Sequence, residues 1–301
     1  MKKLSLIYNP FSGGGWFKGQ LDHYVSMLQK IGFVVDIFRL DGTADLGEYI
    51  KNLATLPCDA IVACGGDGTV SSIVNYMIIH DAKAPLAVLP SGTANDFGKF
   101  LNMPRNAEDF TKVLQQGNIV PIDIGKVNDK YFINVCGTGL FANVSQRVNK
   151  NIKSSLGKLG YYLKGLEEIP KFRPLPLRIT NSKEVIELDA FLFLALNTTG
   201  AGGFGKLVPS ASITDGMLDF VAFKACTLRE LSKVFIKIMS PSGSQDIFDD
   251  PNVLYFKDTF AKVELLCVNE KYDICDIDGE YGPKLPITVG VLPKQISLYM
   301  P

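Results

Sequence analysis

Histidine is nearly absent: His23 and His80 are the only two in 301 residues, so neither a histidine-based metal centre nor a Ser-His-Asp triad has its parts. The six cysteines, Cys58, Cys64, Cys136, Cys226, Cys267 and Cys275, include no C-x-x-C pair, and four fall in strand-like apolar runs. That distribution reads as buried free thiols in a reducing compartment, not as a disulfide or zinc set. Net charge is also missing, with 31 Lys+Arg against 31 Asp+Glu, so no global field favours nucleic acid and none is expected as a partner. No long hydrophobic run occurs either. The longest, 190–196, falls far short of the ~18–20 residues that span a bilayer. The opening apolar stretch is broken by Ser5 and stopped by Pro10, too short for a signal-peptide core. These absences point to a cytoplasmic protein that meets a membrane peripherally at most.

What is present is an ordinary globular composition, 47% hydrophobic and 21% charged, with length for two domains or one large one. Up to residue 124 apolar and helix-like stretches alternate: strands at 4–8, 34–38, 59–64, 85–89 and 119–124, helices at 18–31, 44–56, 70–80 and 107–116. This βαβα order predicts a parallel sheet with covering helices. Beyond Gly125 the pattern turns to strand pieces with turn punctuation, at 130–135, 175–180, 185–196, 218–223, 260–268 and 287–289, interrupted by helical insertions near 156–168 and 228–238. The expected organisation is an α/β domain over 1–124, a mostly antiparallel β domain over 125–290, and a short segment, 291–301, that closes back on one of them.

The first chemical signal is Gly65-Gly66-Asp67-Gly68-Thr69, directly after an apolar strand and before a helix. Glycines there let the backbone approach an anion closely, and N–H groups at a helix start cradle phosphate. Asp67 beside a phosphate makes sense if a divalent cation lies between them; otherwise it caps the helix. A second cluster, Ser91-Gly92-Thr93-Ala94-Asn95-Asp96-Phe97, follows the next strand in the same position, and a third, Asn9-Pro10-Phe11-Ser12-Gly13-Gly14-Gly15, follows the first. Loops at the carboxyl ends of neighbouring parallel strands belong to one crevice.

Two imitations are set aside. Gly200 to Lys206 matches G-x-x-x-x-G-K, but Leu207 stands where the magnesium-binding hydroxyl is required. Gly137-x-Gly139-x-x-Ala142 imitates a dinucleotide fingerprint without a βαβ unit around it. The sequons at Asn143 and Asn197 are glycosylation sites in form only.

The G-G-D-G-T and Ser91–Phe97 segments together resemble the catalytic domain of the diacylglycerol kinase family, which includes short bacterial lipid kinases and is related to the sphingosine kinases. Leu207-Val208-Pro209-x-Ala211 with Asp215-Gly216-x-Leu218-Asp219, and Asp278-Gly279-Glu280, strengthen the match, in order along nearly the whole chain. The resemblance implies a nucleotide domain like that of phosphofructokinases and NAD kinases, a β-sandwich-like second domain, and an active site in the cleft. It implies ATP contacts over Asn9, Pro10, Ser12 and Gly13, over Gly65, Gly66, Gly68, Thr69 and Ser72, and over Gly92, Thr93, Asn95 and Asp96. Glu280 becomes the general base, Asp67 and Asp123 carboxylates of the catalytic network, and Ser212, Asp215 and Met217 ligands of a structural magnesium or calcium, the hard-oxygen chemistry those ions prefer. Magnesium is expected with ATP as well.

The chain departs from the family in two places. Ser71-Ser72 replaces an Asn-Glu pair in the first helical turn after G-G-D-G-T, and Gly14, Gly15 and Gly19 stand where Lys or Arg is expected, which lowers the positive charge available to a triphosphate. Between 147 and 178 lie eight basic residues and two acidic ones, interleaved with Leu156, Leu159, Tyr161, Tyr162, Leu163 and Phe172, a composition suited to an anionic leaflet. The expected activity is ATP-dependent phosphorylation of diacylglycerol or a related lipid at the inner membrane face, with a homodimer compatible. The alternatives are an inactive lipid- or nucleotide-binding regulator of the same fold, and an NAD kinase.

Overall fold

The computed structural model describes residues 1–139, 173–200, 207–239, 247–267 and 274–301. The chain divides into two compact units, Met1–Ile122 with Lys294–Pro301, and Asp123–Pro293. The parting thus falls at 122 and 294, against 124 and 291 read from the sequence.

The first unit is an α/β fold. Strands β1 (Lys2–Tyr8), β2 (Phe33–Arg39), β3 (Ala60–Gly65) and β4 (Leu86–Pro90) pair in parallel in the order β2-β1-β3-β4. All six residues of β3 are buried, which explains its unbroken apolar sequence: a strand covered on both faces has no polar alternation to show. The helices are α1 (Leu21–Lys30), α2 (Leu46–Thr55), α3 (Asp67–Ile79), α4 (Asp96–Phe100) and α5 (Ala107–Gln116). Local caps set two of their starts: Asp45 accepts from Glu48 N–H before α2, and Asn106 from Asp109 N–H before α5. Buried Tyr24 of α1 packs edge-on against Phe110 of α5, 6.4 Å between ring centroids.

The second unit is antiparallel. It contains the last part of β5 (Ile119–Val127), then β6 (Lys130–Phe132), β7 (Val135–Gly139), β8 (Leu175–Thr180), β9 (Val185–Leu196), β10 (Leu218–Lys224), helix α6 (Leu228–Met239), β11 (Val253–Asp258), β12 (Phe260–Leu265), β13 (Ile274–Ile277), β14 (Glu280–Lys284) and most of β15 (Ile287–Tyr299). Strand β9 is its hub. Its first half pairs β8 and its second half β7, while β10 lies along its other edge. Phe191, Phe193 and Ala195 enter one core with Leu218, Phe220 and Ala222 of β10; Leu192, Leu194 and Leu196 enter another with Val221 and Phe223. Period-two alternation therefore buries both faces, and the longest apolar run of the sequence is this doubly covered strand.

Several elements differ from the sequence reading. The helix expected over 18–31 is present as α1, but it is preceded by an unexpected 3₁₀ stretch, Ser12–Gly19, in which Gly13, Gly14 and Gly15 have φ of 56°, 70° and 79°, which no α-helix continues. Strands β11, β13 and β14 and helix α4 were not anticipated, and most of the short segment 291–301 is the end of the 13-residue β15, whose Leu298 pairs in parallel with Leu86 of the first unit. The insertion near 156–168 lies outside the described residues. Among the cysteines Cys64, Cys136 and Cys275 are buried, Cys58 and Cys226 half-buried, and Cys267 is exposed, contrary to uniform burial; all six are free. Gly137 and Gly139 lie inside antiparallel β7, and Asn197 is buried, so neither imitates a site any longer. Among the described residues no helix is long and apolar enough to cross a membrane.

Candidate active site

In the first unit the three glycine-bearing loops leave the carboxyl ends of β1, β3 and β4 and close on one another. Asn9 N–H donates to the Cys64 carbonyl at 3.0 Å, and its side-chain amide to Thr69 Oγ1 at 3.3 Å. Ser91 and Gly92 N–H both donate to the Gly65 carbonyl, at 3.0 and 3.1 Å. Glycine is required where the loops touch. A Cβ on Gly92 would lie 2.3 Å from Gly66 Cα, and one on Gly13 2.2 Å from the Ser91 carbonyl oxygen. Asn95, in the left-handed region at φ 50°, braces the second loop by accepting from Gly92 N–H and donating to the Gly92 carbonyl, both at 2.8 Å. Pro10 is buried, Ser12 N–H returns to the Asn9 carbonyl, and the Ser72 hydroxyl donates back to the Gly68 carbonyl at 2.9 Å. Thr93 stands exposed at the loop tip.

Asp67 opens α3 but also reaches the next helix: its Oδ1 accepts from Phe97 N–H of α4 at 3.0 Å. Burial pushes the Asp67 carboxyl above the usual carboxylate range; the Phe97 N–H draws it down, and the charge of Asp96 raises it. A carboxylate held in this way orients two helix starts, whose first-turn N–H groups have no partner within their own helices.

In the second unit Glu280 stands at the start of β14, exposed. It pairs with Ile277, which leaves Asp278-Gly279 as a two-residue hairpin loop with φ of 52° and 91°, the pattern of a type I′ turn. The Asp278 carboxylate accepts from Ile133, Asn134 and Val135 N–H at 2.8, 3.0 and 3.0 Å. The turn that carries Glu280 is thus pinned to the start of β7.

Asp123 is 1% exposed. Its Oδ2 accepts from Gly216 N–H at 2.7 Å and its N–H donates to the Ile213 carbonyl at 2.6 Å, so it braces the loop that carries Ser212, Asp215 and Met217. Asn197 joins this to the hairpin's support: its side-chain amide donates to the carbonyls of Asp123 and Ile133, at 3.0 and 3.1 Å. The structure thereby brings Asp123 and the 212–217 loop together, and connects both to the Glu280 turn through Asn197. Lys257 was not singled out from the sequence, and Asn197 only as a sequon set aside. Lys257 is on β11, a strand whose VLYFKD sequence has no alternating burial to announce it.

The 212–217 loop can be tested against a divalent ion. Asp215 Oδ1 accepts from Met217 N–H at 3.1 Å, while its Oδ2 meets Lys257 Nζ at 2.6 Å. The same ammonium lies 3.8 Å from Asp219 Oδ2. Two carboxylates therefore converge on one cation. Burial raises the Asp219 carboxyl, with the Tyr255 hydroxyl and Lys257 drawing it down. Carboxylate with hydroxyl and carbonyl oxygens is a hard donor set, so these residues fit magnesium or calcium, provided Lys257 yields its place at Asp215. Among the described residues no cluster of three or more His, Cys, Asp or Glu side chains is placed to bind a metal.

Comparison with known proteins defines the family. Residues 3–127 match the diacylglycerol kinase catalytic domain, and residues 134–300 match the YegS C-terminal NAD kinase beta sandwich-like domain. Among curated proteins, a diacylglycerol kinase of Bacillus subtilis (strain 168) is 36% identical over 304 residues, covering 100% of this chain and 97% of the relative. One from Staphylococcus carnosus (strain TM300) is 32% identical, covering 100% and 95%. A crystal structure of a diacylglycerol kinase from Bacillus anthracis str. Sterne superimposes with TM-score 0.81 at 26% identity, covering 100% of this chain and 97% of that one. The chain belongs to the diacylglycerol kinase catalytic-domain family: an N-terminal α/β domain with a C-terminal β-sandwich domain.

Proposed function

We propose that this protein is an ATP-dependent lipid kinase that transfers the γ-phosphoryl group to the hydroxyl of diacylglycerol. The observation that carries the reading is the closure of three glycine-bearing loops at the ends of β1, β3 and β4, with Asp67 joining the starts of α3 and α4. Phosphoryl transfer asks a protein chiefly to position its reactants and offset their charge. Backbone N–H groups at two helix starts meet the phosphates, and Asp67 keeps those starts in register. Glu280, exposed on a turn that Asp278 fixes, takes the proton of the acceptor hydroxyl. Asp123 acts through the loop it braces. A divalent ion, magnesium in this reading, neutralises phosphate charge when it accompanies ATP, and Ser212, Asp215 and Met217 would hold a structural one.

The relatives' names supply the acceptor class. A lipid acceptor brings the protein to an anionic membrane surface, and the basic composition of 147–178 supports peripheral association; all but its last six residues lie outside the described ones, and within those six Arg178 is paired with Glu187 at 2.7 Å. The test is transfer of labelled γ-phosphate from ATP with magnesium to a lipid panel in mixed micelles, with NAD in parallel. Labelling of diacylglycerol, lost in Glu280→Gln, is the expected result. Label in NAD, or ATP binding with no labelled lipid, would overturn the reading in favour of an NAD kinase or an inactive regulator.

A further inference from the structure

The three loops, 9–15, 65–69 and 91–97, contain no lysine or arginine, yet they carry Asp67 and Asp96. A site formed by backbone dipoles and two carboxylates repels a polyphosphate unless cations arrive from outside the loops. Two cations reach this region from the chain that follows β4. The Lys99 ammonium is already given to the Ala94 carbonyl of the second loop. Arg105, on the connection between α4 and α5, lies over the ring of Trp16 with its guanidinium carbon 4.1 Å from the ring centroid. Trp16 is three residues beyond Gly13 and is the only tryptophan in the chain.

The connection that carries Arg105 is well anchored. The Tyr24 hydroxyl donates to the Arg105 carbonyl, Met103 N–H to the Gly98 carbonyl at 2.9 Å, and Asn106 caps α5 immediately after. The side chain is exposed, and among the described residues no carboxylate pairs with it. A guanidinium lying over an indole ring is held by its charge and leaves N–H donors for an anion. Its charge is felt where the loops begin: burial pushes the Cys64 thiol, at the end of β3, far up, while the Ser91 hydroxyl and the Arg105 charge draw it down.

We propose that Arg105, lying over Trp16, is the cationic edge of the glycine-loop cluster and binds a phosphate anion, the polyphosphate tail of the nucleotide. This rests on the kinase reading for the nucleotide but not for the lipid. The test titrates the full-length protein with tripolyphosphate alone, with MgATP, and with phosphatidylglycerol vesicles. It follows the single tryptophan's emission in the wild type, and calorimetric affinity in wild type, Arg105→Ala, Arg105→Lys and Trp16→Phe. The expected result is an emission change on adding tripolyphosphate or MgATP. Affinity for both falls about tenfold in Arg105→Ala and about threefold in Arg105→Lys, as for loss and weakening of a charge-assisted contact. Unchanged melting temperatures accompany those losses, because the side chain is exposed. Loss of vesicle binding alone would overturn the nucleotide assignment and give the phosphate contact of Arg105 to a lipid headgroup. Wild-type affinity in Arg105→Ala for all three probes overturns the inference while leaving the kinase reading intact; a wild type that binds none of them overturns both.

Discussion

The two units hold their loops by different chemistry. In the parallel unit the loops at β1, β3 and β4 are held by backbone pressed on backbone, with Gly13 against Ser91 and Gly92 against Gly66. In the antiparallel unit the loops are held by carboxylates that accept backbone N–H groups: Asp123 from Gly216, Asp278 from Ile133 to Val135, Asp258 from Ser182 and Thr259. The difference follows from what each loop must offer. On the proposed kinase reading, the glycine loops have to leave N–H groups and approach distance to phosphate, so carboxylates on those groups would compete with the anion. On the same reading the Glu280 turn has to fix one side chain, and a carboxylate bonded to several amides does that without contributing to the ligand surface. Asp67 is the exception that joins the two styles, a carboxylate among glycines, and burial raises its pKa accordingly.

The comparison breaks first at the hairpin. Glu280→Gln should lower phosphate transfer by about a thousandfold, within the range for loss of a general base, with no change in melting temperature because the side chain is exposed. Asp278→Ala, two residues away, should instead cost about 3 kcal/mol of stability in urea unfolding, since three N–H groups lose their acceptor. If both variants lose only activity, the bracing role of Asp278 is wrong.

In the parallel unit Gly92→Ala should act through shape, its Cβ meeting Gly66 Cα at 2.3 Å. An overpacking cost of about 2 kcal/mol and a raised KM for ATP are expected; a KM equal to wild type would show that the loops need not touch. Asp67→Asn sharpens the contrast further. Asn can still accept from Phe97 N–H, and a carboxyl whose folded pKa is raised loses stability as pH rises through that pKa. At neutral pH the variant should therefore melt no lower than wild type, and higher if the charge is the cost, while its activity drops.

The smallest effect is on acid stability. Burial alone would raise the Asp258 carboxyl, but the Ser182 side chain and the backbone N–H groups of Ser182, Thr259 and Phe260 outweigh it and hold it below its usual range. A depressed folded pKa contributes stability that is complete above the unfolded value, near 3.8, and is lost as pH falls through the folded one. Acidification below that point should loosen the second unit first, by hydrogen exchange at β11 and β12, while protonation of Asp67 favours the first. Asp258→Asn should flatten the profile.

Much of this was legible in the residues. The glycine-bearing loops after β1, β3 and β4 could be read because close approach and positive φ are demands made on one residue at a time. The β9 core strand could be read because two buried faces leave an unbroken apolar run. Strands β11, β13 and β14 could not. Strand β14 contains Gly282 and Pro283 at the end of the strand order, where proline is tolerated and alternation is not enforced, and β11 shows no periodic burial.

The sequence by itself determined that glycine-bearing loops follow β1, β3 and β4, and that one half of the chain is parallel α/β and the other antiparallel. Those are properties of short stretches, governed by sterics and local periodicity. Only the tertiary structure decided that Asp278 accepts from residues 143 to 145 positions earlier, that Asp123 reaches Gly216 across 93, that Lys257 faces Asp215, and that Arg105 lies on Trp16. Each of those contacts depends on which strands and helices pack together, and no local pattern encodes that pairing.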